Sequence, residues 1–243
     1  MLIAYLTAGA PDINTTKEAV MKLAKKGADV IEIGVPYSDA LADGAILQKA
    51  SKQALMNGFH LDHLWNLLSE VNEIEVPLVI LAYYNQIWHY GVEKWVKKLV
   101  AHNVKGLIVP DLPYEESKTL RQICDRYGLN IIWLISPTTN KTRAQELARA
   151  CKDWIYVISR TGVTGLETEF DKQIPKLIGE LKKVTKAPIA LGFGISKSEQ
   201  VKLVKSWGAD GVIIGSACMQ ILLEKGVDQL SEWISVMKKS FCP

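Results

Sequence analysis

The chain has 243 residues, 48% hydrophobic and 23% charged, with 29 basic and 26 acidic residues that leave a formal net charge of +3. Its basic residues are interspersed with acidic ones and form no Lys/Arg stripe, which argues against nucleic acid as a partner. No apolar run approaches the roughly 20 residues that span a bilayer, and the N-terminus lacks a basic segment followed by an apolar stretch and a cleavage site, so no membrane association is expected and a cytoplasmic or plastid-stromal location is. Length and composition fit one sizeable core, and a single domain over 1–243 is expected. Cys124, Cys151, Cys218 and Cys242 are widely spaced with no Cys-x-x-Cys pair, which favours reduced packing residues over a zinc site or a disulfide framework.

In chain order, Leu2 to Leu6 is a short apolar run and Thr7 to Asn14 reads as a Gly/Pro loop. Thr15 to Glu18 has capping-box spacing ahead of a helical pattern that ends at Gly27. Ala28 to Ile33 is strand-like, and after a long loop helical periodicity runs from Ile46 through Met56 and from Asp62 to Val71. The alternation continues with strands at Pro77–Ala82, Val104–Val109, Asn130–Ile135, Trp154–Ile158, Pro188–Leu191 and Gly211–Ile214. Helical patterns fall between them at Val92–His102, Tyr114–Tyr127, Thr142–Cys151, Phe170–Thr185 and Lys197–Trp207. Eight strands of nearly unbroken Val/Ile/Leu character imply a parallel sheet covered on both faces. Eight βα units in this length predict an α/β fold of the (β/α)8 TIM-barrel type, with its active site at the C-terminal ends of the strands. Gly27-Ala28-Asp29 recurs as Gly208-Ala209-Asp210 before the last strand.

The unusual residues gather at those strand ends. Glu32 sits between Ile31 and Ile33, where burial makes an ionised carboxylate costly and raises its pKa toward that of a proton donor. Eleven residues on, past a Gly-Val-Pro turn, Asp43 is placed to fold back opposite it. Each has a plainer reading, an ion pair or helix cap for Glu32 and an Asx-turn for Asp39 or Asp43. Glycines at 162, 165, 192, 194 and 215 follow the last three strands, where barrels often bind phosphate, and Ser216 adds a hydroxyl to a helix start. Arg160 opens a long Gly-bearing loop of the kind that closes over such a site. Tyr5, Tyr156 and Phe193 lie where an aromatic substrate would pack, though aromatics there are also ordinary core. The four histidines show no metal-ligand spacing, and no metal is expected.

Several stretches together are highly specific: Glu32-Ile33-Gly34-Val35-Pro36-Tyr37-Ser38-Asp39, Leu41-Ala42-Asp43-Gly44 with Gln48, and Tyr5-Leu6-Thr7-Ala8-Gly9. To these are added Val109-Pro110-Asp111-Leu112-Pro113, Ser159 through Gly165, Gly192-Phe193-Gly194-Ile195-Ser196 and Gly215-Ser216. In them the chain resembles the tryptophan synthase alpha subunit family from first strand to last helix. The resemblance implies retro-aldol cleavage of indole-3-glycerol phosphate to indole and glyceraldehyde 3-phosphate. Glu32 would then protonate the ring carbon bearing the glycerol chain and accept the proton of the adjacent hydroxyl, while Asp43 would hold the indole N–H. The same resemblance assigns Tyr5, Tyr156 and Phe193 to the indole pocket. It assigns Gly165, Gly194, Gly215 and Ser216 to the phosphate, and Arg160 and Thr164 to loop closure. It implies no cofactor in this chain, pyridoxal phosphate in a beta-subunit partner, and an αββα assembly.

Departures from the family pattern are Ala10 for Asp, and Ala40, Ala45 and Gln86 for proline. Those alanines free the backbone of the loop after the second strand, by roughly 0.4 to 1 kcal/mol of unfolded-state entropy per site. The chain also opens almost on its first strand, where the family carries an N-terminal helix, so either a more open barrel floor or a sequence truncated at that end is expected. Two further readings accompany the lyase: a catalytically silent alpha-type subunit that activates a beta partner, and a standalone lyase that releases indole.

Overall fold

The computed structural model describes residues 1–158, 173–192 and 194–241. Strands and helices alternate along them: β1 (Leu2–Thr7), α1 (Ile13–Lys26), β2 (Val30–Gly34), α2 (Ala45–Met56), α3 (Leu61–Glu70), β3 (Leu78–Leu81), α4 (Tyr84–Tyr90), α5 (Val92–Ala101) and β4 (Gly106–Ile108). There follow α6 (Lys118–Tyr127), β5 (Asn130–Ile131), β6 (Leu134–Ile135), α7 (Lys141–Ala150), β7 (Ile155–Ile158), α8 (Ile174–Leu181), β8 (Ile189–Gly192), α9 (Ser198–Ser206), β9 (Gly211–Ile214) and α10 (Ser216–Phe241).

All pairings are parallel, in the order β5-β4-β3-β2-β1-β9-β8-β7-β6. The two ends of that order are consecutive stretches of one run. Between them the Ile132 N–H donates to Leu107 O at 3.0 Å, and the Tyr156 N–H donates to Trp133 O at 3.1 Å. Residues 130–135 therefore bond β4 on one side and β7 on the other, which closes the ring into a (β/α)8 barrel. The split of one expected strand into β5 and β6 reflects this change of partner.

The strands bury both faces. Leu2, Ala4 and Leu6 join the apolar shell under the helices, whereas Ile3 packs with Val30, Val79, Ile108, Ile132, Ala190 and Ile213 in a second core inside the ring. This period-two split is why the strands read as continuous apolar runs. The repeated Gly-Ala-Asp is structural. Asp29 accepts the Leu2 N–H at 2.6 Å and Asp210 accepts the Ile189 N–H at 2.9 Å, so each aspartate secures the start of the preceding strand.

Local boundaries shift where capping chemistry outweighs the pattern. Helix α1 begins at Ile13 because Asp12, rather than Thr15, caps it by accepting the Thr15 N–H at 2.9 Å. The expected start of α6 at Tyr114 gives way to Lys118, because Ser117 Oγ donates to Tyr114 O at 2.6 Å and holds the intervening residues in a turn. The helix expected from Phe170 is described from Ile174, its earlier part lying outside the described residues. Helix α4, which the apolar pattern does not predict, braces the mouth of the barrel.

Candidate active site

Register places Tyr5 of β1 beside Glu32 of β2, and Glu32 beside Val79 of β3. Glu32 has the same strand parity as Val30, so it points into the ring, where it is only 1% exposed. Its Oε2 has no hydrogen-bond partner among the described residues. An ionised carboxylate in that position loses its hydration without compensation. Its pKa is accordingly pushed up to about 8, first by burial and then by the charge of Asp43. Asp43 is also buried, and burial raises it to about 6 against the opposing pull of a hydrogen bond with the Tyr83 hydroxyl. Burial thus pushes Glu32 further toward its neutral, proton-donating form than Asp43, which the Tyr83 hydroxyl pulls back toward the carboxylate, a separation in the direction that acid–base pairs require.

Asp43 reaches this place because loop two, residues 35–44, folds back over the mouth. The Asp43 N–H donates to Ala40 O at 3.1 Å, and Gln48 Nε2 donates to Asp43 O at 2.9 Å and Ala40 O at 3.2 Å. Tyr83, at the start of α4, receives the Ala42 N–H at 3.0 Å and stacks on Tyr37. Loop two is therefore fastened by side chains despite alanine at positions 40 and 45.

Both carboxyls line one cavity at the mouth of the barrel. Tyr5, Tyr156, Leu47, Leu81 and Ile195 give it apolar walls, while Gly194, Gly215, Ser216 and Ala217 form another side. Two glycines make room for the tyrosines. A Cβ on Gly34 would meet the Tyr5 hydroxyl at 2.0 Å, and one on Gly192 would meet Tyr156 Cε2 at 2.5 Å. Burial holds both phenols well above their ordinary pKa, reinforced by the charges of Asp43 and Glu32. Gly194 adopts φ +80°, open to glycine at little cost, and Ser216 begins α10, whose first N–H groups lack intrahelical acceptors.

The expected residues Glu32, Asp43, Tyr5, Tyr156, Gly194, Gly215 and Ser216 thus come together. Arg160, Thr164, Gly165 and Phe193 lie outside the described residues. Asp111, at the end of β4, instead accepts the Tyr84 N–H at 2.9 Å and caps α4. Sequence reasoning missed Tyr83; its place immediately after the apolar run Pro77–Ala82, at a strand's C-terminal end, is the signal that could have found it. Among the described residues no group of three or more His, Cys, Asp or Glu is placed to hold a metal ion.

A (β/α)8 barrel whose strand ends bring two buried carboxyls, apolar walls and a glycine-lined helix start into one cavity has the architecture of a barrel enzyme. Residues 1–240 match the family described as tryptophan synthase alpha chain. The chain is 71% identical to the tryptophan synthase alpha chain of Cyanidium caldarium over 243 residues, the whole of both, and 42% identical to that of Acaryochloris marina over 98% of this chain and 91% of the relative. Among solved structures, a Mycobacterium tuberculosis tryptophan synthase chain superposes with a TM-score of 0.92 at 31% identity, covering 99% of this chain and 91% of that one. A mutant tryptophan synthase alpha-subunit from Pyrococcus furiosus gives 0.87 at 32% identity, covering 99% and 96%. The chain belongs to the tryptophan synthase alpha chain family. Its reaction is the alpha reaction of tryptophan biosynthesis, the lyase cleavage of indole-3-glycerol phosphate.

Proposed function

We propose that the cavity performs this cleavage as a retro-aldol step carried by Glu32 and Asp43. Neutral Glu32 donates its proton to the indole carbon that bears the glycerol chain, leaving a cationic ring whose N–H is held by the Asp43 carboxylate. The Glu32 carboxylate then accepts the proton of the adjacent side-chain hydroxyl. As the carbonyl of glyceraldehyde 3-phosphate forms, the carbon–carbon bond breaks and its electron pair returns to the ring as indole. One proton is given and one recovered, so Glu32 ends as it began. The observation that carries this reading is the pair of buried carboxyls in one cavity, raised to about 8 and about 6.

Tyr5 and Tyr156 flank the carboxyls and suit the indole ring; Phe193, outside the described residues, is assigned to the same role by the family resemblance alone. Gly194, Gly215 and Ser216 receive the phosphate, an assignment supported by their lining one side of the cavity and by the place of Gly215 and Ser216 at the start of α10. For Gly165, Arg160 and Thr164, which lie outside the described residues, the family resemblance alone gives the roles of phosphate binding and loop closure. These steps need no cofactor in this chain; pyridoxal phosphate belongs to the beta-subunit partner that the family implies, in an αββα assembly. The continuous ring favours a single domain over 1–243. No described helix is long and apolar enough to cross a membrane, and with Cyanidium caldarium among the relatives we place the chain in plastid stroma or cytoplasm.

The test is turnover of indole-3-glycerol phosphate by the isolated chain and with a beta subunit added. Cleavage that a beta subunit stimulates is expected. No cleavage under either condition would overturn the reading in favour of a silent subunit.

A further inference from the structure

Loop two is suspended from the first turn of α4 at both of its ends. At the near end Gln86 Nε2 donates to Pro36 O at 2.9 Å, one residue after Val35, whose N–H is still bonded to Leu81 O of β3 at 2.9 Å. At the far end the Tyr83 hydroxyl receives the Ala42 N–H at 3.0 Å, next to Asp43. Between them the Tyr37 and Tyr83 rings stack with centroids 5.1 Å apart, and Asn85 Nδ2 donates to the Tyr37 hydroxyl at 3.0 Å.

Gln86 joins the two ends. Its Oε1 accepts the Tyr83 N–H at 3.2 Å, so one amide fixes both where Tyr83 enters α4 and where Pro36 leaves the sheet. An amide suits this task because one planar group carries both a carbonyl acceptor and an N–H donor, which diverge within its plane. We propose that Gln86 is a positioning residue: by tying Pro36 to the first turn of α4 it sets the path of loop two, and so the placement of the Asp43 carboxyl in the cavity. The proposal rests on the role given to Asp43 above.

Two variants separate this tie from an ordinary helix cap. Gln86→Glu keeps the acceptor for the Tyr83 N–H but loses the donor to Pro36 O, and Gln86→Met loses both. Steady-state cleavage of indole-3-glycerol phosphate by the isolated chain should show kcat lower by about tenfold in both, with KM changed by less than about twofold, the pattern of a misplaced reacting group. Thermal unfolding of Gln86→Glu should stay near wild type. Wild-type kcat in Gln86→Glu would overturn the proposal and leave Gln86 as a cap.

A double-mutant cycle with Asp43→Asn supplies the second readout. Acting through Asp43, Gln86→Glu should lower kcat little further in the Asp43→Asn background, whereas a full additional tenfold loss would show action elsewhere and overturn the proposal. Wild-type kcat in Asp43→Asn alone would instead refute the role of Asp43, and with it the proposal. The two failures are therefore distinguishable.

Discussion

Replacing Glu32 by Gln should make the protein more stable at alkaline pH while lowering its activity by orders of magnitude. The carboxyl moves from an ordinary 4.5 to about 8 on folding, mainly because it is buried. Between those values the folded chain holds a proton that the unfolded chain has released, so stability falls as pH rises through this window. The penalty is absent below 4.5 and complete above about 8. At about 1.4 kcal/mol per pH unit it has an upper bound of about 5 kcal/mol, and local relaxation reduces the expected effect to roughly 2 to 4 kcal/mol. Gln cannot ionise and is close to Glu in shape, so the variant escapes the cost. Asp43 titrates in both proteins and largely cancels in the difference. Urea unfolding followed by far-ultraviolet circular dichroism at pH 5, 7 and 9 measures it. Near-equal stability at pH 5 and a growing advantage for Glu32→Gln toward pH 9 are expected. A variant less stable than wild type at pH 9, or a difference independent of pH, would refute the reasoning.

Asp43→Asn removes the second cause of the raised Glu32 pKa, so a carbon-13 NMR titration of the Glu32 carboxyl should show a midpoint below about 8; an unmoved midpoint would contradict their electrostatic coupling. In Tyr83→Phe the bond that lowers the Asp43 pKa is lost, and the Asp43 carboxyl should titrate above about 6, a result reversed if its midpoint falls. Gly34→Ala forces the Tyr5 hydroxyl out of a 2.0 Å clash, which should destabilise the fold by about 1 to 3 kcal/mol and raise KM; an unchanged melting temperature and KM would show that Tyr5 moves freely.

Most of the barrel was legible because its strands are buried on both faces and their apolar runs stand out at regular intervals. Glu32 was legible for the same reason, as a carboxylate within such a run. Asp43 was not distinguishable from a turn residue by local pattern, since its role depends on loop two folding back onto α4 and α2. Helix α4 escaped notice because Tyr84–Tyr90 is seven residues long, with Ile87 its buried side chain, and is capped by Asp111 from a different strand. Gln86 stands out in the sequence only as a departure from a family proline, and its bond to Pro36, fifty positions earlier, leaves no mark in the local pattern. The Gly34 and Gly192 requirements are equally non-local, each set by a tyrosine on a neighbouring strand. Sequence pattern registers burial and period, whereas these features arise from chain crossings.

The most direct measurement is the pH dependence of kcat/KM for cleavage of indole-3-glycerol phosphate across the alkaline range, where the phosphate of the substrate no longer titrates. If Glu32 must enter the reaction protonated, the rate falls with an apparent pKa near 8, and the residual activity of Glu32→Gln lacks that limb. A wild-type rate that stays level or rises from pH 7 to beyond pH 9 would contradict the account.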